Sequence, residues 1–138
     1  MNVHFFAEGT DFKLPHPRKT SNWINTVARE EKKSIISINY IFCTDSYLLQ
    51  MNQGYLNHDT LTDIITFDYS EKSNLEGEVY ISIERVKENS EIFNRPFDEE
   101  LHRVIIHGLL HLMGFGDKSA VEKTRMRKKE EACLSLRK

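Results

Sequence analysis

The chain reads as an α+β protein, with a small four-stranded mixed sheet packed with four to five helices in a single domain over residues 1–138. Three observations predict this. Segments with apolar residues at helical spacing are interleaved with short β-branched and aromatic runs. A length of 138 residues is the usual size of one domain and is enough to bury a core. No internal repeat, low-complexity tract or Gly/Ser/Pro linker divides the sequence.

Val3-His4-Phe5-Phe6 has the pattern of a short edge strand. Pro15 and Pro17 mark a turn before Thr20 to Lys33, where Trp23, Ile24, Val27 and Ala28 recur at helical spacing and Thr20 or Ser21 can cap. Ile35 to Cys43, rich in Ile, Tyr and Phe, predicts a central strand. Asp45 to Tyr55 places Tyr47, Leu48, Met51 and Tyr55 on one helical face, with Thr44 or Asp45 as cap. A polar loop at Asn57-His58-Asp59-Thr60 leads into a strand from Thr62 to Tyr69. Residues 70 to 77 read as a turn-rich connector, and Gly77 to Ile83 alternates Val79, Ile81 and Ile83 with polar positions as a partly exposed strand. Glu84 to Phe93 predicts a third helix. Pro96 opens a fourth, whose first turn holds Asp98, Glu99 and Glu100, where the helix dipole favours anions. Leu101, Val104, Ile105, Leu109 and Leu112 give it a core face, and Gly114 stops it. A last helix begins near Ser119.

Bulk properties exclude several classes. With 39% hydrophobic and 29% charged residues the composition is that of an ordinary soluble protein, and no apolar run approaches the roughly 18 residues that span a bilayer. No membrane association is expected. The first residues lack a basic segment followed by a long apolar one, so no secretory leader is expected. Cys43 and Cys133 form no CxxC pair and read as reduced thiols of a cytoplasmic protein. The net charge of −2, from 19 basic and 21 acidic residues, announces no nucleic-acid binder globally. Basic residues do gather late, at Lys118, Lys123, Arg125, Arg127, Lys128, Lys129, Arg137 and Lys138, against Glu122, Glu130 and Glu131. Phosphate attraction and a plain solvated helix face both account for such a run.

The most informative stretch is His107-Gly-Leu-Leu-His111-Leu-Met-Gly114-Phe-Gly-Asp117. Histidines four apart lie about 40° from each other around a helix, so both imidazoles can point at one atom. Gly114 ends the helix and Asp117 follows within reach. Three of the four corners of a tetrahedral site are thereby supplied, and a fourth left to water distinguishes a catalytic metal from a structural one. Arg103 lies one turn before His107, so a plain polar stripe on the same face is the alternative. Two imidazoles with one carboxylate suit zinc, nickel, iron or cobalt, with zinc the default and one Zn2+ per chain expected. In the peptidase helix HExxH a glutamate after the first histidine is the general base. Gly108 occupies that position, which argues against a peptidase.

These residues carry a resemblance. Leu101 to Asp117 resembles the HGxLHxxGxDH signature of the YbeY family of bacterial rRNA maturation factors, also called endoribonuclease YbeY. Asn52 to Phe67 resembles that family's block NxxYRxxDxxTDVLSF, and Gly77-Glu78-Val79-Tyr80-Ile81-Ser82 its block GD-I-x-IS. The three keep the family's order over residues about 45 to 120. The resemblance implies a zincin-like core, similar to metalloprotease cores, with the metal-binding helix near the C-terminus. It also implies a bound zinc and cytoplasmic work as a single-strand-specific endoribonuclease in rRNA maturation and ribosome biogenesis. The partners implied are rRNA and the ribosome, with no DNA expected. A zinc-stabilised, non-catalytic ribosome-binding or rRNA-binding factor is the alternative.

Two departures matter. Counting from His107, the family's third histidine ligand is matched by Asp117, while an alignment with one inserted residue leaves Lys118 there. Lysine is no ligand at neutral pH, so Asp117 is the ligand candidate either way. A carboxylate lowers the site's net charge by one, and less Lewis acidity follows. The family's arginine, which engages phosphate, is here Leu56. Either another cation replaces it or the activity differs; Lys118, the run from Arg125 to Lys129, and His58 are the candidates. His58 and Lys118 are therefore the expected substrate contacts, although His58 reads first as a surface loop residue. Asp63 matches a family position where it would orient a ligand histidine or cap a turn. No general base beyond a metal-bound water can be named from these residues.

Overall fold

The computed structural model describes residues 2–55 and 63–137. In chain order the elements are β1 (Val3–Ala7), α1 (Pro17–Glu30), β2 (Ser34–Cys43), α2 (Asp45–Tyr55), β3 (Ile64–Asp68), β4 (Asn74–Ser82), α3 (Ile83–Ile92), α4 (Phe97–Leu112) and α5 (Ala120–Ser135). The α+β expectation holds. The sheet order is β1-β2-β4-β3. β1 and β4 flank β2 in parallel, with Val3 opposite Ile38 and Tyr40 opposite Val79. β3 closes the far edge antiparallel to β4, Ile64 facing Ile81. The sheet is thus mixed, with β1 at an edge and β2 in the interior, as the sequence predicts.

Most element bounds follow the sequence pattern, and the exceptions have physical causes. α1 starts at Pro17, three residues before the predicted cap, because proline presets the backbone for a first helical turn. His16 takes the left-handed conformation before it (φ 52°), and Thr20 and Ser21 are buried inside the helix. β4 begins at Asn74, inside the predicted connector: Asn74 and Leu75 pair with Ser34 and Ile35, and Leu75 is fully buried. α2 is capped as expected by Thr44, whose Oγ1 accepts from the Tyr47 amide at 3.2 Å. Ser82 caps α3, its Oγ accepting from the Arg85 amide at 3.1 Å.

α4 lies directly on β3 and β4. Leu101, Ile105 and Leu109 are within 1% of complete burial, and Leu112 is 3% exposed; each such side chain contributes about 1.5–3 kcal/mol by leaving water. The helix approaches so closely at Gly108 that an added Cβ would stand 2.8 Å from Val79 Cγ1 and 3.0 Å from Ile64 Cδ1. From β2, the Tyr40 hydroxyl donates to the Ile105 carbonyl at 3.1 Å. On the other side of α4 sits α5, whose Met126, Glu130 and Cys133 are buried. The Trp23 indole N–H of α1 donates to the Cys133 carbonyl at 2.8 Å and fastens the two helices together. Among the described residues, no helix is long and apolar enough to cross a membrane.

Candidate metal centre

Because Gly108 and the leucines turn toward the sheet, α4 presents Arg103, His107 and His111, one turn apart, toward α5. The turn after α4 then brings Asp117 back to them. Gly114 adopts φ 99°, the left-handed region open to glycine. Its amide donates to the His111 carbonyl and the Phe115 amide to the Leu110 carbonyl, both at 3.0 Å. That pair of bonds is the Schellman closure of a helix. α5 restarts at once: the Ser119 hydroxyl accepts from the Glu122 amide and the Glu122 carboxylate accepts from the Ser119 amide, both at 3.1 Å.

His107, His111 and Asp117 do converge. His107 Nε2 lies 2.9 Å from His111 Nε2 and 3.2 Å from Asp117 Oδ2, and His111 Nε2 lies 3.5 Å from that oxygen. Ligands at zinc bond lengths of about 2.0–2.1 Å would be separated by about 3.3 Å along a tetrahedron's edge. The triangle brackets that value. Side-chain exposures of 20%, 27% and 41% leave one side of it facing solvent.

The outer ring nitrogens decide what the inner ones can do. His111 Nδ1 stands 3.0 Å from the Phe115 carbonyl, which only accepts, so this nitrogen carries hydrogen. His107 Nδ1 is 2.6 Å from Glu130 Oε2 and donates to it. With both Nδ1–H groups engaged, the neutral rings turn two Nε2 lone pairs toward the point that Asp117 Oδ2 also faces. Three acceptors this close repel one another unless positive charge lies among them, either a proton or a cation. Burial disfavours a charged His107, but Glu130, Asp117 and Asp63 outweigh it and hold its pKa above the ordinary histidine value. Burial and the neighbouring His107 push that of His111 below it. The donor set therefore fits a divalent ion, and these three residues could hold one.

The sequence-predicted residues fare differently. Arg103 occupies the expected stripe, but it is bound to Glu130 at 3.3 Å and Glu131 at 2.7 Å, both on α5. The carboxylate hydrogen-bonded to the outer nitrogen of His107 is Glu130, whereas Asp63, which the sequence reading offered, acts on that ring through its charge. Asp63 is close enough to His107 for their charges to interact, and burial raises its own pKa. Its backbone carbonyl accepts from the Ser82 amide at 3.0 Å. Lys118 is exposed beside Asp117, with its amide bound to Glu122 at 3.1 Å. Of the basic run, Lys129 is occupied, at 2.6 Å from Glu31 and 5.3 Å from the Phe115 ring centre. Arg125, Arg127 and Lys128 are exposed. His58, Leu56 and Asp59 lie outside the described residues.

Glu130 is the residue that the sequence reading passed over. Its signal was present: four residues after Met126 and three before Cys133, it is a carboxylate at an inward helical position. A buried charge needs a partner, and partners 23 and 27 positions away cannot be named from spacing.

Comparison with known proteins identifies the family. Residues 8–137 match the family model described as Endoribonuclease YbeY. The chain is 53% identical over 137 residues to the Endoribonuclease YbeY of Cytophaga hutchinsonii, covering 99% of this chain and 96% of that one. It is 48% identical over 138 residues to that of Bacteroides fragilis, covering 100% and 99%. Among solved structures it resembles the solution structure of TM1509 from Thermotoga maritima, with a TM-score of 0.71 and 27% identity over 97% of this chain and 87% of the other. The chain belongs to the endoribonuclease YbeY family.

Proposed function

We propose that this member of the endoribonuclease YbeY family is a zinc-dependent, single-strand-specific endoribonuclease of rRNA maturation and ribosome biogenesis, acting in the cytoplasm on rRNA and the ribosome. His107, His111 and Asp117 hold one Zn2+ per chain. The observation that carries this reading is the triangle of two Nε2 atoms and one carboxylate oxygen, open to solvent on one side. When bound, the ion supplies electrophilic polarisation of a phosphate and lowers the pKa of a water.

The chain's own residues do the rest. The Phe115 carbonyl keeps hydrogen on Nδ1 of His111, so its Nε2 stays a donor of electrons. Asp117, on the turn, adds negative charge and softens the site's electrophilicity relative to three histidines. Exposed Lys118, next in the chain, contributes a cation for phosphate, and His58 serves as a second substrate contact. The Gly108 packing supports a nuclease over a peptidase, since a glutamate there would collide with Val79 and Ile64.

Elemental analysis of the purified chain and a nuclease assay on rRNA before and after chelation test the proposal together. His107→Ala and His111→Ala should each abolish stoichiometric zinc and chelator-sensitive cleavage. Full metal retention by both variants removes the site. The second reading, a zinc-stabilised rRNA-binding factor without cleavage, draws support from Leu56 at the position of the family's arginine. Asp117→Asn separates the two: loss of metal with RNA affinity and cellular role intact favours binding.

A further inference from the structure

Glu130 sits on α5, remote in sequence from the three ligand candidates, yet among the described residues it makes the shortest contact to an imidazole of the centre. One of its oxygens lies 2.6 Å from His107 Nδ1 and the other 3.3 Å from Arg103 Nη1. Its side chain is 10% exposed, so the contact is shielded from water. Arg103, equally buried, reaches on to Glu131, which is 61% exposed. The two imidazoles are therefore held unequally. His111 donates to a neutral carbonyl from its own turn, whereas His107 donates to a carboxylate delivered by a separate helix.

We infer that Glu130 is the positioning residue of the metal centre, fixing His107 with hydrogen on Nδ1 so that its Nε2 faces His111 and Asp117, with Arg103 fixing Glu130 in turn. This rests on the reading of His107, His111 and Asp117 as ligands. A carboxylate on the outer nitrogen both orients the ring and makes the inner nitrogen a stronger electron donor. Since that carboxylate belongs to α5, docking of the last helix and affinity for metal become one property. The helix with Arg125 and Lys128 on its outer face is then held in place by the same contact.

The test uses the full-length chain, titrated with Co2+ by visible absorption and with Zn2+ by competition. Glu130→Ala should weaken both affinities by about 10–100-fold, and Glu130→Gln, whose amide oxygen still accepts, should recover part of the loss. Glu131→Ala, which alters the same network without touching His107, should bind metal as wild type does. In the zinc-loaded wild type, 15N NMR should show His107 bound through Nε2 and its Nδ1–H protected from exchange; the protection should vanish in Glu130→Ala. Wild-type affinity in a folded Glu130→Ala overturns the inference. If that variant does not fold, metal on Nδ1 of His107 in the wild-type chain, or an unprotected Nδ1–H, overturns it instead. His107→Ala distinguishes the two levels. Retained metal there defeats the ligand reading itself, while lost metal beside an unaffected Glu130→Ala defeats only the role of Glu130.

Discussion

The two long sides of α4 obey different rules. Toward the sheet, Leu101, Ile105, Gly108, Leu109 and Leu112 meet apolar partners so closely that glycine is required at one position. On the other side, Arg103 and His107 meet carboxylates of α5 and His111 meets the Phe115 carbonyl, all through bonds fixed in direction. The first side contributes burial energy in proportion to area, indifferent to angle. The second sets which nitrogen of each imidazole carries hydrogen, with little area involved. Stability and chemistry are thus carried by one helix but on separate faces, and substitutions on each should be separable by experiment.

The largest expected effect lies on the sheet side. Leu109→Ala should cost about 2–5 kcal/mol in urea unfolding, since a fully buried leucine leaves a cavity. Metal affinity, measured where the variant is folded, should stay near wild type; a large loss of affinity would mean that the two faces are coupled. Gly108→Ala should follow at about 1–3 kcal/mol, as overpacking against Val79 and Ile64 forces a shift. Gly114→Ala joins both sides. It strains the turn by about 1–2 kcal/mol in a left-handed conformation, and by moving the Phe115 carbonyl it should also weaken metal binding. An Ala variant losing stability alone would place the turn wholly on the structural side.

The shallowest effect is in pH. Burial, assisted by the cations Arg137 and Lys19 and opposed by Asp98, lowers the pKa of His102 from 6.5 to about 4. Its ring meets the Trp23 ring edge-on at 5.8 Å. Above pH 6.5 both folded and unfolded chains hold this histidine neutral and it has no effect. As pH falls from 6.5 toward 4 the unfolded chain takes up the proton first, so stability declines over that window. His102→Gln should flatten that part of the urea midpoint against pH; parallel curves for variant and wild type would exclude His102 as the source.

How far the sequence discloses all this depends on range. The element order, the capped start of α2 and the interior place of β2 follow from periodicity and caps within a few neighbouring residues. So does the pairing of His107 with His111, because one helical turn is a local rule. Asp117 was within reach because Gly114 announces the turn that returns it. The start of β4 was missed since Asn74 is held by its partner strand and not by its own propensity. Glu130 was missed for the same reason at greater distance: among many glutamates, only tertiary packing distinguishes the one that faces inward.

The hydrogen bond from Trp23 to the Cys133 carbonyl spans 110 positions. Translation runs from the amino end, so a partly synthesised chain can hold both imidazoles before Glu130 and Cys133, 19 and 22 positions after His111, have been added. Such an unfinished molecule has its histidines without the clasp between first and last helix. His107 can meet its carboxylate only after Glu130 has been added.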